Sequence, residues 1–373
     1  MNLKNITKAF AVSAIVASSL FASDVVKIGV QAPITGQYAN EGQSIENFVK
    51  LIVDEKNAEG GLLGKQIEVV TCDDEAKAQK AAVCAKKLTN AGVIAVIGSY
   101  TSGATEAAQT TYYRKGVLQT SDGTSDSLIK KKYWTFFRNS FPNSSQSDFT
   151  ADYMVNSKKY KNIVVLSDYS SYSAGLGDAT EASIKAIGGN VVFRGKIKAG
   201  TQNFTAMLTK VKAMNPDVIY YSGYYTDGGL LRAQQKQLQI DADFVGGDSN
   251  DNPDFYKLAG DAAAGTVLIN FPTPEILPYP EAKKYLAAYK TRFKMDPPSI
   301  WPVTNADGLR AVIEGVEKTK SFDTKKIAEY IRSMKDFPGI TGPFNIREDG
   351  ERVGAKFVVY KMKNDGTKQV VSE

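Results

Sequence analysis

The sequence predicts an α/β protein of two lobes, each a doubly wound parallel sheet. Three observations carry the prediction. Runs rich in β-formers alternate with amphipathic helical runs, as parallel βαβ units require. The alternation falls into two consecutive series of roughly 120 residues each, the size of one doubly wound lobe. The 373-residue chain is 43% hydrophobic, enough for each lobe to bury a core of its own.

The first strand reads at Val25 to Val30, followed by a helix whose Ile45, Phe48, Val49 and Ile52 share one face. Gly60-Gly61 ends that helix, because glycine accepts the left-handed backbone that closes a last turn. Strands at Gln66 to Thr71 and Val93 to Gly98 flank a second helix, Ala78 to Asn90, with Val83 and Leu88 inward and Gly92 near its stop. Val117 to Thr120 makes a fourth strand. After the polar stretch Asn139 to Ser147, the second series sets strands at Ile163 to Ser167, Val191 to Gly195, Val218 to Ser222, Phe244 to Gly246 and Thr266 to Phe271. Its helices read at Ala174 to Ile187 and Phe204 to Met214. The repetition is one of architecture, since no sequence period marks a solenoid.

Residues 1–22 read as a secretory signal peptide. Lys4 and Lys8 precede an apolar run of 14 residues, Ala9 to Ala22, which is too short to span a bilayer. This order of charge and apolar run favours a signal over a buried N-terminal helix. Its removal leaves 44 basic against 40 acidic residues, or +4, a weak charge for such a chain. The runs Lys130 to Lys132 and Lys158 to Lys159 lack interleaved aromatics and read as solvated surface, so no nucleic-acid partner is expected. The chain has no histidine, which excludes Ser-His-Asp and Cys-His nucleophile systems, a His general base and His-ligated zinc. In an exported chain Cys72 and Cys84 read as one disulfide enclosing 11 residues, and without histidine they make a poor metal site.

In doubly wound sheets, ligands sit beyond the carboxyl ends of the strands, where loops lead into helix N-termini. Those loops are Ala32 to Gly42, Ser99 to Thr105, Thr120 to Ser127, Asp168 to Gly177, Gly223 to Gly229 and Gly246 to Asn252. None carries a nucleotide fingerprint, and Gly175-Leu176-Gly177 lacks its third glycine, so no cofactor is expected. The loops hold hydroxyls (Ser99, Ser102, Thr105, Thr120, Ser121, Thr124), tyrosines (Tyr169, Tyr172, Tyr224, Tyr225) and Asp248. Hydroxyls and amides at helix N-termini suit a small carboxylate. A carboxylate with tyrosine hydroxyls suits an ammonium group, and aromatic walls enclose an apolar tail. Together they describe a zwitterion between two lobes, although singly each residue type has an ordinary capping or packing role.

At this point the sequence resembles the branched-chain amino-acid binding proteins of bacterial ABC importers, which have the type I periplasmic binding fold. The resemblance runs over nearly all of the chain after the signal. It is carried by Val26-Lys27-Ile28-Gly29-Val30, Thr35-Gly36, Gly60-Gly61-Leu62-Leu63-Gly64-Lys65, Asp73-Asp74, Ile97-Gly98 through Ser102, and Asp168 with Tyr172. It continues through Tyr220-Tyr221-Ser222-Gly223-Tyr224, Gly247-Asp248 and Ile340-Thr341-Gly342-Pro343-Phe344.

The resemblance implies that Ser102 and Thr124, with the backbone around Asp122 and Gly123, receive an α-carboxylate. It sets Asp248 as the partner of the α-ammonium, Tyr172 and Tyr224 as ligand-facing tyrosines, and Trp301, or Ile300 on a one-residue shift, as the wall of the side-chain pocket. It implies a three-segment hinge with crossings near Pro142, Phe271 and Phe344. Lobe 1 is then 24–141 plus 272–343, and lobe 2 is 142–271 plus 344–373. Two positions depart from the family pattern: Asp122 stands where a small apolar residue is usual, and Glu41 near a position that is often aromatic. If both face the cleft, the pocket holds three acids. The family's disulfide differs as well, its second cysteine matching Thr101.

The expectation is therefore a periplasmic solute-binding protein, monomeric and without catalysis. It would close on an amino acid, leucine, isoleucine or valine first, and deliver it to an ABC permease with its ATPase subunits. The alternative is a binding protein or sensor module for a polar amino acid or small amide.

Overall fold

The computed structural model describes residues 25–354 and 356–372, so the signal peptide expected at 1–22 lies outside the described residues. The first sheet takes five strands, β1 (Val26–Ala32), β2 (Ile67–Asp73), β3 (Ala95–Ile97), β4 (Leu118–Ser121) and β5 (Phe136–Arg138), in the order β2-β1-β3-β4-β5. All of its pairings are parallel. Between them run α1 (Ala39–Ala58), α2 (Ala78–Asn90), α3 (Ser102–Lys115) and α4 (Ser127–Lys130).

The second half begins with α5 (Asn143–Asp152). Then come β6 (Ile163–Ser167), α6 (Ser171–Ala186), β7 (Val191–Lys196), α7 (Thr205–Ala213), β8 (Val218–Tyr221), α8 (Tyr225–Gln237), β9 (Asp243–Gly246), α9 (Pro253–Ala259) and β10 (Val267–Asn270). Its parallel strands run β10-β9-β8-β6-β7, the same winding as the first sheet. In each half the order reverses beside the first strand, between β1 and β3 and between β6 and β8. At such a reversal the neighbouring connections leave to opposite faces, and a crevice opens at the carboxyl ends of the strands.

Burial follows the helical period. Ile45, Phe48, Val49 and Ile52 of α1 are all buried, and the Phe48 ring stacks on Tyr289 with centroids 4.4 Å apart. On α2 the inward face is Ala81, Cys84, Ala85 and Leu88, spaced one turn apart. Val83 was expected inward but is 64% exposed, because it sits one residue, about 100° of rotation, before Cys84 on the helix. Cys72 of β2 and Cys84 are bonded, with Cα atoms 5.5 Å apart, and tie α2 to its strand.

After β10 the chain returns through α10 (Pro280–Phe293), α11 (Trp301–Thr319) and α12 (Thr324–Ser333), and α11 packs on α1 and β4. A small antiparallel sheet follows: β11 (Phe337–Gly339), β12 (Gly342–Ile346) and β13 (Arg352–Val353). The chain then ends in β14 (Val358–Met362), antiparallel to β10, and β15 (Lys368–Ser372). This corrects the third crossing. It was expected near Phe344, but β12 is held between β11 and β13, and Arg138 of β5 donates to buried Glu351 at 2.7 Å. Residues 344–353 therefore stay with the first sheet, and the passage lies between Val353 and Val358. Among the described residues no helix is long and apolar enough to cross a membrane.

Candidate functional site

The carboxyl ends of both sheets converge on a small cavity of about 10 Å³, lined by Tyr100, Ser102, Asp122, Thr124, Tyr172, Tyr224, Ser249 and Trp301. Two larger clefts, around Trp134 with Arg332 and around Arg232 with Asp243, sit on open surface at the amino ends of strands. Of the three, the small cavity lies where the winding of both sheets opens a crevice.

Each lining residue owes its place to a strand end. After β3 the backbone turns at Gly98 (φ 110°), where an added Cβ would lie 1.9 Å from the Gln31 carbonyl. That turn carries Tyr100 inward and sets Ser102 at the first residue of α3. The Ser102 hydroxyl oxygen accepts from the Ser125 amide at 3.1 Å, leaving its own O–H to donate. After β4 come Asp122, Gly123 and Thr124, and the Thr124 hydroxyl has no partner. The Gly123 amide donates to Ser121 Oγ at 3.0 Å, and its carbonyl accepts from Arg138. A Cβ there would meet Leu128 Cδ1 at 2.9 Å and Ser102 Cα at 3.3 Å, so the residue lets the loop pack against α3 and does not itself line the cavity.

From the second sheet, Tyr172 enters at the start of α6, Tyr224 just before α8, and Asp248 with Ser249 in the short turn after β9. One Asp248 oxygen accepts from the Tyr172 hydroxyl and from the Ser249 amide, the other accepts from nothing. Trp301, the first residue of α11, lines the cavity, and Ile300 stands just before it outside the lining. Tyr169, read among the loop tyrosines, is 71% exposed and stands outside.

Three carboxyls are buried here, and each is pushed up chiefly by desolvation. Asp248 rises to about 6, with the Tyr172 and Ser249 hydrogen bonds opposing the shift. Glu41 rises to about 7, restrained by the hydrogen bonds it accepts from Ser299 Oγ (2.8 Å) and Asn252 Nδ2 (2.7 Å). Asp122 is pushed well above the carboxylate range by burial and then by the charge of Glu41; neither oxygen makes a well-formed hydrogen bond, and the Asn305 side chain beside it opposes the shift. Of the two departures flagged in the sequence, Asp122 therefore faces the cavity. Glu41 does not line it and bridges the cleft instead, its Asn252 partner lying just before α9.

Sequence reasoning missed Tyr100, Ser249 and Tyr38. Tyr100 and Ser249 stand in the loops singled out after β3 and β9, but one aromatic or hydroxyl per loop carries no signal of its own. Tyr38 closes the site from behind, its ring 4.7 Å from Tyr224, 5.7 Å from Tyr100 and 5.8 Å from Tyr225. Further bonds clasp the two halves together. Asn40 Nδ2 donates to Asp254 at 2.9 Å, Tyr225 Oη to Asn40 Oδ1 at 2.7 Å, and Gln37 to Thr226.

Known proteins share this fold. A Leu/Ile/Val-binding protein of Rhizobium johnstonii is 30% identical over 363 residues, covering 97% of each chain. The leucine-binding protein of Thermotoga maritima superposes with a TM-score of 0.87 at 28% identity, over 93% of this chain and 98% of that one. A branched-chain amino-acid transporter substrate-binding protein of Streptococcus pneumoniae, solved with isoleucine, gives 0.84 at 30% identity, over 94% and 100%. The family model for periplasmic binding proteins matches residues 25–367, and with fold, cavity and relatives in agreement, this chain belongs to that family.

Proposed function

We propose that the chain is the solute-binding subunit of an ABC importer. It works as a monomer in the periplasm once its signal is removed, captures one free amino acid and hands it to a permease driven by ATPase subunits. The observation that carries the reading is a cavity flanked by two chemically opposite groups: free hydroxyls in its lining and, directly behind the lining Tyr172 and Ser249, the carboxyl of Asp248. Hydroxyls of Ser102 and Thr124, on the first sheet's side, are free to donate to a carboxylate. The Asp248 oxygen left open beside Tyr172, on the second sheet's side, accepts from an ammonium. No proton transfer or bond chemistry is asked of these groups, so the protein binds and does not catalyse.

Transport follows from the geometry. A ligand held by both ends bridges the two halves and stabilises only the shut form, which a permease can tell from the open one. The names of the relatives support leucine, isoleucine and valine as the first ligand class. One observation favours a second reading, a polar amino acid or small amide: Asp122 lines the cavity and neither of its oxygens makes a well-formed hydrogen bond. Calorimetry of the purified chain against the twenty amino acids and small amides tests the proposal. Heat with at least one amino acid supports it, and no heat and no thermal shift with any of them sinks it.

A further inference from the structure

The acids at this site outnumber everything available to balance them. Asp122, Asp248 and Glu41 are fully or almost fully buried, and among the described residues no lysine or arginine lines the cavity. Arg138 touches the same loop but is committed elsewhere: its Nε donates to Glu351, and its other nitrogens to the carbonyls of Gly123 and Ser125. Glu41 is satisfied by Ser299 and Asn252. The open oxygen of Asp248 is accounted for by an α-ammonium. Asp122 has the Asn305 side chain beside it but no cation.

An aliphatic side chain would leave Asp122 as a neutral buried acid facing apolar atoms, whereas a cationic nitrogen beside it would favour the ionised form and pair with it. The walls around it are rings, namely Tyr100, Tyr172, Tyr224 and Trp301. Ring faces attract cations, most strongly when water is excluded. An aromatic box containing one unpaired acid has the composition of a site for a positively charged nitrogen.

We propose that Asp122 is the specificity-determining residue of the cavity, and that the ligand is an amino acid whose side chain ends in a cationic nitrogen received by Asp122. The proposal rests on the amino-acid reading and names the ligand class within it.

The test is calorimetry on the purified chain at pH 7.5 with leucine, isoleucine, valine, ornithine, lysine and arginine, repeated on Asp122→Asn. The ligand order in the unmutated protein needs no variant. At least one basic amino acid should bind more tightly than leucine by about tenfold or more, and Asp122→Asn should cut that affinity by about tenfold or more while shifting the order toward leucine. Leucine binding more tightly than every basic amino acid overturns the proposal, as does a basic amino acid bound equally well by protein and variant. Leucine binding that strengthens from pH 8 to pH 6 in the protein but not in the variant would assign a proton to Asp122, and also overturns it. Absence of heat with every amino acid removes the underlying reading and this inference together, whereas leucine alone binding removes only the inference.

Discussion

Asp248 shows how burial turns a carboxylate into a receptor for an ammonium. In the shut cavity it keeps one hydrogen-bonded oxygen and one open one, and desolvation raises its pKa to about 6. An ammonium needs the ionised form, so binding at acid pH must first expel a proton. The sign follows: affinity falls as pH drops below about 6, by no more than about tenfold per pH unit, and levels off above it. Calorimetric titrations from pH 5 to pH 8 with the ligand that binds best would show this, and a flat profile would remove Asp248 as the ammonium's partner. Asp248→Ala should weaken binding by about 2 to 5 kcal/mol, because it leaves the ligand's charge buried and unpaired. Unchanged affinity in that variant would place the ammonium elsewhere.

At the level of elements, closure depends on what α1 presents across the cleft. Asn40 accepts from the Tyr225 hydroxyl and donates to Asp254 and Asn252, so three bonds between the halves meet on one side chain. Asn40→Ala should leave the core of each half intact and cost the shut form about 1 to 2 kcal/mol, read as roughly tenfold weaker ligand binding through faster dissociation. Stopped-flow dissociation rates check it, and a slower association with unchanged dissociation would count against it. The strands and helices that build the cleft were legible because buried parallel strands read as short apolar runs bounded by glycine, and their carboxyl ends then named the loops. What escaped has physical reasons. β5 and β11 have three residues each and β13 has two, too short for any period to show. β14 and β15 pair antiparallel at a sheet edge, outside the alternation of strand and helix. In the site, Ser102, Asp122, Thr124, Tyr172, Tyr224 and Trp301 come together around the cavity. The packing of Gly123 against Leu128 and its bond from Arg138 could not be read, because only folding creates those contacts.

The whole molecule passes three times between its halves, and each passage brings one phenylalanine to the same place. Phe141 precedes α5, Phe271 follows β10, and Phe357 precedes β14; the ring of Phe271 lies 4.0 Å from that of Phe141 and 5.3 Å from that of Phe357. Phe271 also meets Trp301 edge-on at 5.6 Å, so the wall of the cavity rests on the hinge. A packed aromatic cluster can act as a pivot while the rims separate, because the rims are held by hydrogen bonds that water can replace and by a few tyrosine ring contacts. The unliganded protein also keeps several acids buried when shut, which opens the balance further toward separation. A ligand cation reverses that term, so ligand, not packing, should decide the population of the shut form. Small-angle scattering tests this directly. With saturating ligand the radius of gyration should approach about 20 Å, the value for a compact chain of this length, and without ligand it should be larger. Equal radii with and without ligand would mean that the shut form needs no ligand, and that the permease reads something other than closure.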